Sequence, residues 1–474
     1  FFFFFFQAED GIRDVERSRG LGMCIRDRSI ENGKLILAMF DPTNRKLLED
    51  LEKVTEFGVI PYLSSKSDIL KIINEFYGFK TSVVAAEKEL ESPLTDLGNL
   101  EQRLEVSSIQ EIATSEKHIK NVVDYLFHYA LSQRASDIHI EPKRDKSIIR
   151  LRIDGILHNI YNIPKGVHTA LVSRIKSLSR MNIAEKRKPQ DGRIKLETSS
   201  MGVEIRVSTI PVAFGEKIVL RILNPEILFQ SLENLGFLTY DLITYRQFLK
   251  MPNGIILVTG PTGSGKTTTL YSTLKTLATP EKNFVTIEDP IEMIHEEFNQ
   301  IAVNPAIGLT FANILKSVLR QDPDIIMVGE IRDYETAANA VQAALTGHLV
   351  LSTLHTNDSV SAVTRLIDLG IEPYLISSTL IGVVAQRLVR KICPNCEEKF
   401  FLSASDIQQL GIKINGKEKI MLKRGKGCSE CRNTGYLERI GIFEVFKISP
   451  KCRDLIKQNA SIDVLRKKAY EEGM

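Results

Sequence analysis

The stretch Gly260-Pro261-Thr262-Gly263-Ser264-Gly265-Lys266-Thr267-Thr268 constrains this chain more than any other. An apolar, strand-like run, Ile255-Ile256-Leu257-Val258, enters it, and helix-forming residues from Thr268 to Ala278 leave it. A glycine-rich turn between a strand and a helix points backbone N–H groups inward, where they cradle phosphate oxygens. The start of the helix adds partial positive charge. In this setting Lys266 reaches the β- and γ-phosphates of ATP, and the Thr267 hydroxyl holds Mg²⁺. An ordinary glycine-rich turn is the plain alternative, and the flanking strand and helix argue against it.

A chain of 474 residues is expected to hold several domains. Hydrophobic residues make up 43% and charged residues 26%, the balance of a soluble protein. A net charge of +3 is too small to argue for nucleic acid or an anionic membrane as partner. No apolar run approaches the length of a spanning helix. Four of the six cysteines form two C-x-x-C pairs, which favours metal over disulfides and a cytoplasmic setting.

Residues 1–29 read as foreign to the fold. Six phenylalanines precede Gln7-Ala8-Glu9-Asp10-Gly11-Ile12-Arg13-Asp14. Back-translated, that octapeptide resembles a high-throughput sequencing adapter, and the phenylalanines become poly-T. The expectation is that the natural N-terminus is absent. The end of the chain at Tyr470 to Met474, within a helical pattern, carries the same expectation for the C-terminus.

Residues 30–92 alternate apolar runs (Leu35 to Met39) with helical spacing (Ile69, Ile72, Ile73, Phe76) and read as a small, truncated α/β domain. Residues 93–117 are polar and read as a linker. Val122, Val123, Leu126, Phe127, Ala130 and Leu131 share one helical face, and strand-like runs follow, so 118–235 reads as an α+β domain. From Gly254 strands and helices alternate, the pattern of a parallel sheet covered on both faces. That domain is placed at 236–385, a cysteine-bearing subdomain at 386–440 and a truncated helical region at 441–474.

Further chemistry surrounds the loop. Ile325 to Val328 is an apolar strand followed by Gly329-Glu330, and a carboxylate there can orient or deprotonate an attacking water. The usual strand-end aspartate for magnesium is missing, because Gly329 takes that place. Phe284 to Ile287 is a second strand ending in Glu288-Asp289, and Glu288 is the candidate to support the metal. A turn cap is the plain reading of either acid alone. His348 and His355 bracket the apolar strand Leu349 to Leu354. A histidine at the C-terminal tip faces the nucleotide crevice and can sense the γ-phosphate, although a lone histidine is more often a packing residue. Cys393-Pro394-Asn395-Cys396 and Cys428-Ser429-Glu430-Cys431 fit a closed, structural four-thiolate Zn²⁺ site. A redox pair is the alternative. Arg150, Arg152, Arg193, Arg206 and Arg221 are either a solvated basic face or the source of an arginine that crosses to a neighbouring subunit's γ-phosphate.

The ordered set resembles the secretion ATPase superfamily, and within it the type II secretion and type IV pilus assembly ATPases. The resemblance spans about residues 30–474. It rests on Arg134-Ala135-Ser136-Asp137-Ile138-His139-Ile140-Glu141-Pro142, Arg152-Ile153-Asp154-Gly155 and Pro189-Gln190-Asp191-Gly192-Arg193. It continues through the phosphate loop, Glu288-Asp289-Pro290-Ile291-Glu292, Gly329-Glu330-Ile331-Arg332-Asp333 and the two histidine motifs.

The resemblance implies a RecA-like P-loop core preceded by a PAS-like α+β domain and carrying a zinc knob. It implies a homo-hexameric ring with one ATP site between each pair of domains, catalytic Glu288 and Glu330, a histidine motif from His348 to His355, and arginine fingers at Arg193 and Arg206. The implied partners are an inner-membrane platform protein and a cytoplasmic docking protein, with the motor peripheral at the membrane's cytoplasmic face and no direct nucleic-acid contact. A pilus-retraction motor is the nearest alternative, against which the four cysteines weigh. A nucleic-acid translocase and a nucleotide-binding scaffold are more distant ones. Relatives usually carry glycine where this chain has Glu438, which puts a local turn in question.

Overall fold

The computed structural model describes residues 2–4, 15–18, 30–31, 34–39, 41–55, 58–65, 83, 86, 107–196, 202–402, 405–406 and 420–474. The helical spacing at Ile69 to Phe76, Cys24, and residues 93–106 of the expected linker lie outside them. The chain divides into two units, Phe1–Ile194 with Ile205–Ile222, and Lys195–Glu204 with Leu223–Met474.

In the first unit the strands Lys34–Met39 and Gly58–Leu63 run parallel, joined by the helix Arg45–Thr55, as expected for a small α/β module. Helix α1 (Ser107–Ser132) starts ten residues before the expected end of the linker. Its first turns are mostly polar in sequence, with only Ile109, Ile112 and Ala113 at helical spacing to announce them. Further along, Val122, Val123, Leu126, Phe127 and Ala130 are buried as their spacing predicts.

A six-stranded sheet follows, built from β1 (Asp137–Pro142), β2 (Lys146–Ile153), β3 (Ile156–Pro164), β4 (Gln190–Leu196), β5 (Val203–Val212) and β6 (Gly215–Leu223), in the order β3-β2-β1-β6-β5-β4. Helix α2 (Lys165–Leu178) links β3 to β4. Side chains alternate across this sheet. Ile138, Ile140, Ile149 and Leu151 are buried, while Asp137, Glu141, Arg150 and Arg152 occupy the intervening positions.

The second unit is a seven-stranded sheet. Its first strand in chain order is β7 (Gly254–Thr259), an interior strand preceded by α3 (Thr239–Leu249) and followed by α4 (Lys266–Leu277). Next come β8 (Phe284–Glu288), β9 (Asn299–Ala302), α5 (Phe311–Val318), β10 (Ile325–Val328), α6 (Tyr334–Leu345) and β11 (Leu349–Leu354). After α7 (Ser361–Asp368) and α8 (Pro373–Thr379) the long strand β12 (Leu380–Ile392) returns to the sheet. The order is β9-β8-β10-β11-β7-β12-β15, where β15 is Tyr436–Lys447. All neighbours are parallel except β12 and β15.

Both faces of this sheet are covered, which explains its unbroken apolar runs. Ile255, Leu257, Ile287 and Val328 pack into one core, and Ile256, Val258, Phe284 and Met327 into the other. Each such buried side chain contributes roughly 1.5–3 kcal/mol. The expected boundary at 385/386 falls inside β12. The apolar run does end at Ala385, but the strand continues, because Gln386 is buried with both amide atoms bonded. The cysteine subdomain is therefore an insertion between two sheet strands. Its ribbon is β13 (Glu397–Leu402) with β14 (Ile420–Gly425), and the chain closes with α9 (Pro450–Lys457) and α10 (Ile462–Glu471).

Candidate functional site

Parallel strands bring their C-terminal ends to one edge of the sheet, where open α/β sheets bind ligands. At that edge β7 runs into the phosphate loop. Gly260, Gly263 and Gly265 have φ of 143°, 77° and 89°, a region that suits glycine. A Cβ on Gly260 would also lie 2.5 Å from the carbonyl oxygen of Gln386. Lys266 Nζ donates to the carbonyls of Gly260 at 2.9 Å and Pro261 at 3.1 Å, so its ammonium lies within the loop's curl. Burial lowers its pKa, and the nearby Glu330 carboxylate opposes that shift. Thr267 is half-buried in the first turn of α4.

Glu330 follows β10 by two residues. Its carboxylate pairs with Arg332 Nη2 at 2.5 Å and His355 Nε2 at 3.5 Å. His355 lies one residue beyond β11, whose last residue, Leu354, is in register with Thr259. The loop after β11 is tied directly to the end of β7. Thr356 N donates to Thr259 Oγ1 at 3.0 Å, and the two hydroxyls lie 2.6 Å apart. Lys266, Glu330 and His355 thus belong to one site.

His348 does not join them on this chain. It precedes β11 and sits at the opposite edge, where its backbone carbonyl accepts from Gly254 N. Its Nδ1 lies 2.9 Å from the Ala343 carbonyl and 3.1 Å from Thr346 Oγ1. The strand between the two histidines is six residues long, which holds them roughly 20 Å apart. Its contacts are those of a residue that stitches α6 to the sheet.

Glu288 ends β8 and is buried. Tyr271 Oη donates to Oε2 at 2.6 Å, while Thr286 Oγ1 and Gln300 Nε2 donate to Oε1 at 2.7 and 3.1 Å. Burial first, and then the Glu288 charge, push the Tyr271 phenol far above its ordinary range, so it remains a donor. The sequence reading missed Tyr271, Gln300, Arg332 and Gln386. Arg332 lay inside a quoted motif; the other three are joined to the site by contacts that leave no periodic trace.

Of the five arginines singled out in the sequence, three are held by acids of their own sheet. Arg150 pairs with Glu141 at 2.6 Å, Arg152 with Asp137 at 3.6 Å and Arg221 with Asp137 at 3.2 Å. Arg193 and Arg206 lie on the neighbouring strands β4 and β5.

The four paired cysteines come together, with all four sulfurs within 4.8 Å of one another. Cys393 and Cys428 are 3.8 Å apart, Cys396 and Cys431 3.8 Å, and Cys428 and Cys431 3.6 Å. Backbone N–H groups of Gly427, Cys428 and Gly435 point at the sulfurs of Cys396 and Cys431. Burial works to raise the Cys431 thiol, yet the Cys428 and Gly435 N–H groups and the neighbouring thiols bring it down to about 6. A soft, closed donor set of this kind fits zinc and leaves no open position for catalysis.

Two family profiles match the chain. One, described as Type II/IV secretion system protein, covers residues 112–474, and one described as the MshEN domain covers residues 28–83. The chain is 47% identical over 441 residues to the type IV pilus assembly ATPase TfpB of Acinetobacter baylyi, covering 91% of this chain and 75% of that protein. It is 47% identical over 349 residues to the type II secretion system ATPase E of Vibrio cholerae, covering 74% of this chain and 69% of that protein. With the type IV pilus assembly ATPase PilB of Thermus thermophilus, identity is 41% over 452 residues, spanning 94% of this chain but half of the relative. Among solved structures, the ATPase DotB of Yersinia pseudotuberculosis shares the fold, with a TM-score of 0.55 at 23% identity over 75% of this chain and 86% of that one.

Proposed function

This chain belongs to the Type II/IV secretion system protein family, and we propose that its ATP hydrolysis drives assembly of a type II secretion pseudopilus or a type IV pilus at the inner membrane. The observation that carries the reading is the joining of Lys266, Glu330 and His355 at one sheet edge, with Glu330 paired to both Arg332 and His355. The names of relatives such as the type IV pilus assembly ATPase TfpB and the type II secretion system ATPase E support the coupling to secretion or pilus assembly.

In this reading the N–H groups from Gly260 to Thr268 take the phosphates, with Lys266 on the β- and γ-oxygens. Thr267 and nearby carboxylates are hard oxygen donors that suit Mg²⁺, which neutralises phosphate charge when bound. Glu330 orients the attacking water and accepts its proton. Arg332 and His355 fix the two oxygens of that carboxylate, and His355 is placed to respond to the γ-phosphate. Glu288 stands one strand further out, and its hydrogen-bonded cage fixes the position of its carboxyl group in support of the metal. His348 has no part in this chain's own site.

Arg193 and Arg206 serve as arginine fingers for the site of an adjacent subunit in a homo-hexamer, neutralising charge that develops on the transferred phosphoryl group. Zn²⁺ held by Cys393, Cys396, Cys428 and Cys431 stabilises the insertion without entering the chemistry. A platform protein of the inner membrane and a cytoplasmic docking protein are the partners. The motor works peripherally at the membrane's cytoplasmic face, as the relatives' roles in secretion and pilus machines suggest. No helix among the described residues is long and apolar enough to cross a membrane.

Two variants test the division of roles. Lys266→Ala is expected to weaken nucleotide binding. Glu330→Gln is expected to keep binding and lose turnover. Equal loss of both properties in the two variants would refute the assignment.

A further inference from the structure

We propose that Gln386 is a positioning residue for nucleotide binding, which sets the phosphate loop from beneath by orienting the peptide between Ser264 and Gly265. The inference rests on the reading of that loop as the ATP site.

Gln386 is 3% exposed, and both ends of its amide are bonded. Its Nε2 donates to the Ser264 carbonyl at 2.6 Å, and its Oε1 accepts from Thr269 Oγ1 at 2.8 Å. Thr269 is itself 1% exposed in the first turns of α4. One side chain therefore spans the loop and the helix that follows it. It also presses on the loop's glycines. A Cβ on Gly260 would meet the Gln386 carbonyl oxygen at 2.5 Å, and one on Gly265 would meet Gln386 Nε2 at 3.1 Å.

The consequence follows from peptide geometry. A trans peptide points its C=O and N–H in opposite directions. With the Ser264 carbonyl held toward Gln386, the Gly265 N–H faces away from β12, to the side where a phosphate-binding loop gathers its donors. Released from Gln386, this peptide is free to rotate between two conformations, since glycine tolerates both. Nucleotide would then have to select the competent one, and affinity would fall by the fraction populated. Only a side chain with a donor and an acceptor at this length satisfies both Ser264 and Thr269. Leucine supplies neither, and an ionised glutamate places an acceptor against an acceptor.

The test measures affinity of the full chain for a fluorescent ATP analogue, alongside KM and kcat for ATP, in Gln386→Leu, Gln386→Glu and Thr269→Val. Gln386→Leu is expected to raise Kd and KM at least about ten-fold, the scale of one lost bond to a buried acceptor, with a smaller change in kcat. Gln386→Glu supplies a readout that loss of packing alone would not give. Its carboxyl can donate to the Ser264 carbonyl only when protonated, so affinity relative to wild type should fall as pH rises. Should Gln386→Leu fail to fold, Thr269→Val keeps the donor but removes the hydroxyl that orients it, and a several-fold loss of affinity is expected. Wild-type affinity in the folded variants, or a Gln386→Glu profile parallel to wild type, would overturn the proposal. A wild-type chain that binds no ATP would instead sink the reading of the loop itself.

Discussion

Replacing Cys431 with serine should remove the metal and unfold the insertion between β12 and β15 while sparing the sheet. Three of the six sulfur–sulfur edges are 3.6 or 3.8 Å, the edge length of a tetrahedron whose centre is roughly 2.2–2.3 Å from each sulfur, against about 2.3 Å for a zinc–thiolate bond, and all six are within 4.8 Å. Among the described residues, the ribbon's ion pairs are exposed ones, Lys423 with Glu397 and Arg424 with Glu398. Phe401, Met421 and Leu422 are 64%, 52% and 40% exposed, and an isolated two-stranded ribbon is marginal in water. Zinc binding to such thiolate sets is worth about 10–16 kcal/mol in small domains at neutral pH, far more than that ribbon's own packing. The expected results are about one zinc per wild-type chain, four sulfur neighbours by X-ray absorption, and no tightly held zinc in Cys431→Ser. Proteolysis should then cut first between Cys393 and Gly435, and nucleotide affinity should survive. Full zinc content in the variant, or a folded wild-type chain without metal, would refute the reasoning.

Other outcomes follow from particular residues. Glu438 has a φ of 68°, a left-handed conformation that costs a non-glycine residue roughly 1–2 kcal/mol. Glu438→Gly should therefore be more stable than Glu438→Ala by about 1 kcal/mol in denaturant unfolding, since both lose the exposed Lys391 pair; equal stabilities would contradict this. Burial works to raise the Glu141 pKa, but Arg150 and Lys217 bring it down to about 2 from 4.5. A depressed acid contributes stability above its unfolded pKa and loses it as pH falls through the folded one. Wild type should thus lose more stability than Glu141→Gln between pH 4.5 and about 2, and parallel urea midpoints across that window would speak against it.

The strand, loop and helix around Lys266 were legible because the signal is local and periodic. So was the gathering of the four cysteines, whose paired spacing brings four thiols to one place. The joining of Glu330 and His355 followed from each ending an apolar strand of a parallel sheet. What escaped was long-range. Gln386 lies 122 residues from Ser264, and as a polar residue ending an apolar run it read as the edge of a domain. Tyr271 and Gln300 enclose Glu288 from a helix and a neighbouring strand, an arrangement without any sequence period. His348 was grouped with His355 because they flank one strand, yet a strand's length separates whatever stands at its two ends. The start of α1 was hidden because Ile109, Ile112 and Ala113 make only a short apolar stripe among polar residues.

The most direct measurement is ATP turnover by size-separated oligomers of the wild-type chain and of Glu330→Gln. The account predicts turnover confined to a ring-sized species and lost in the variant. Turnover by the monomer at the same rate per chain, or a variant as active as wild type, would contradict both the shared site and the role of Glu330.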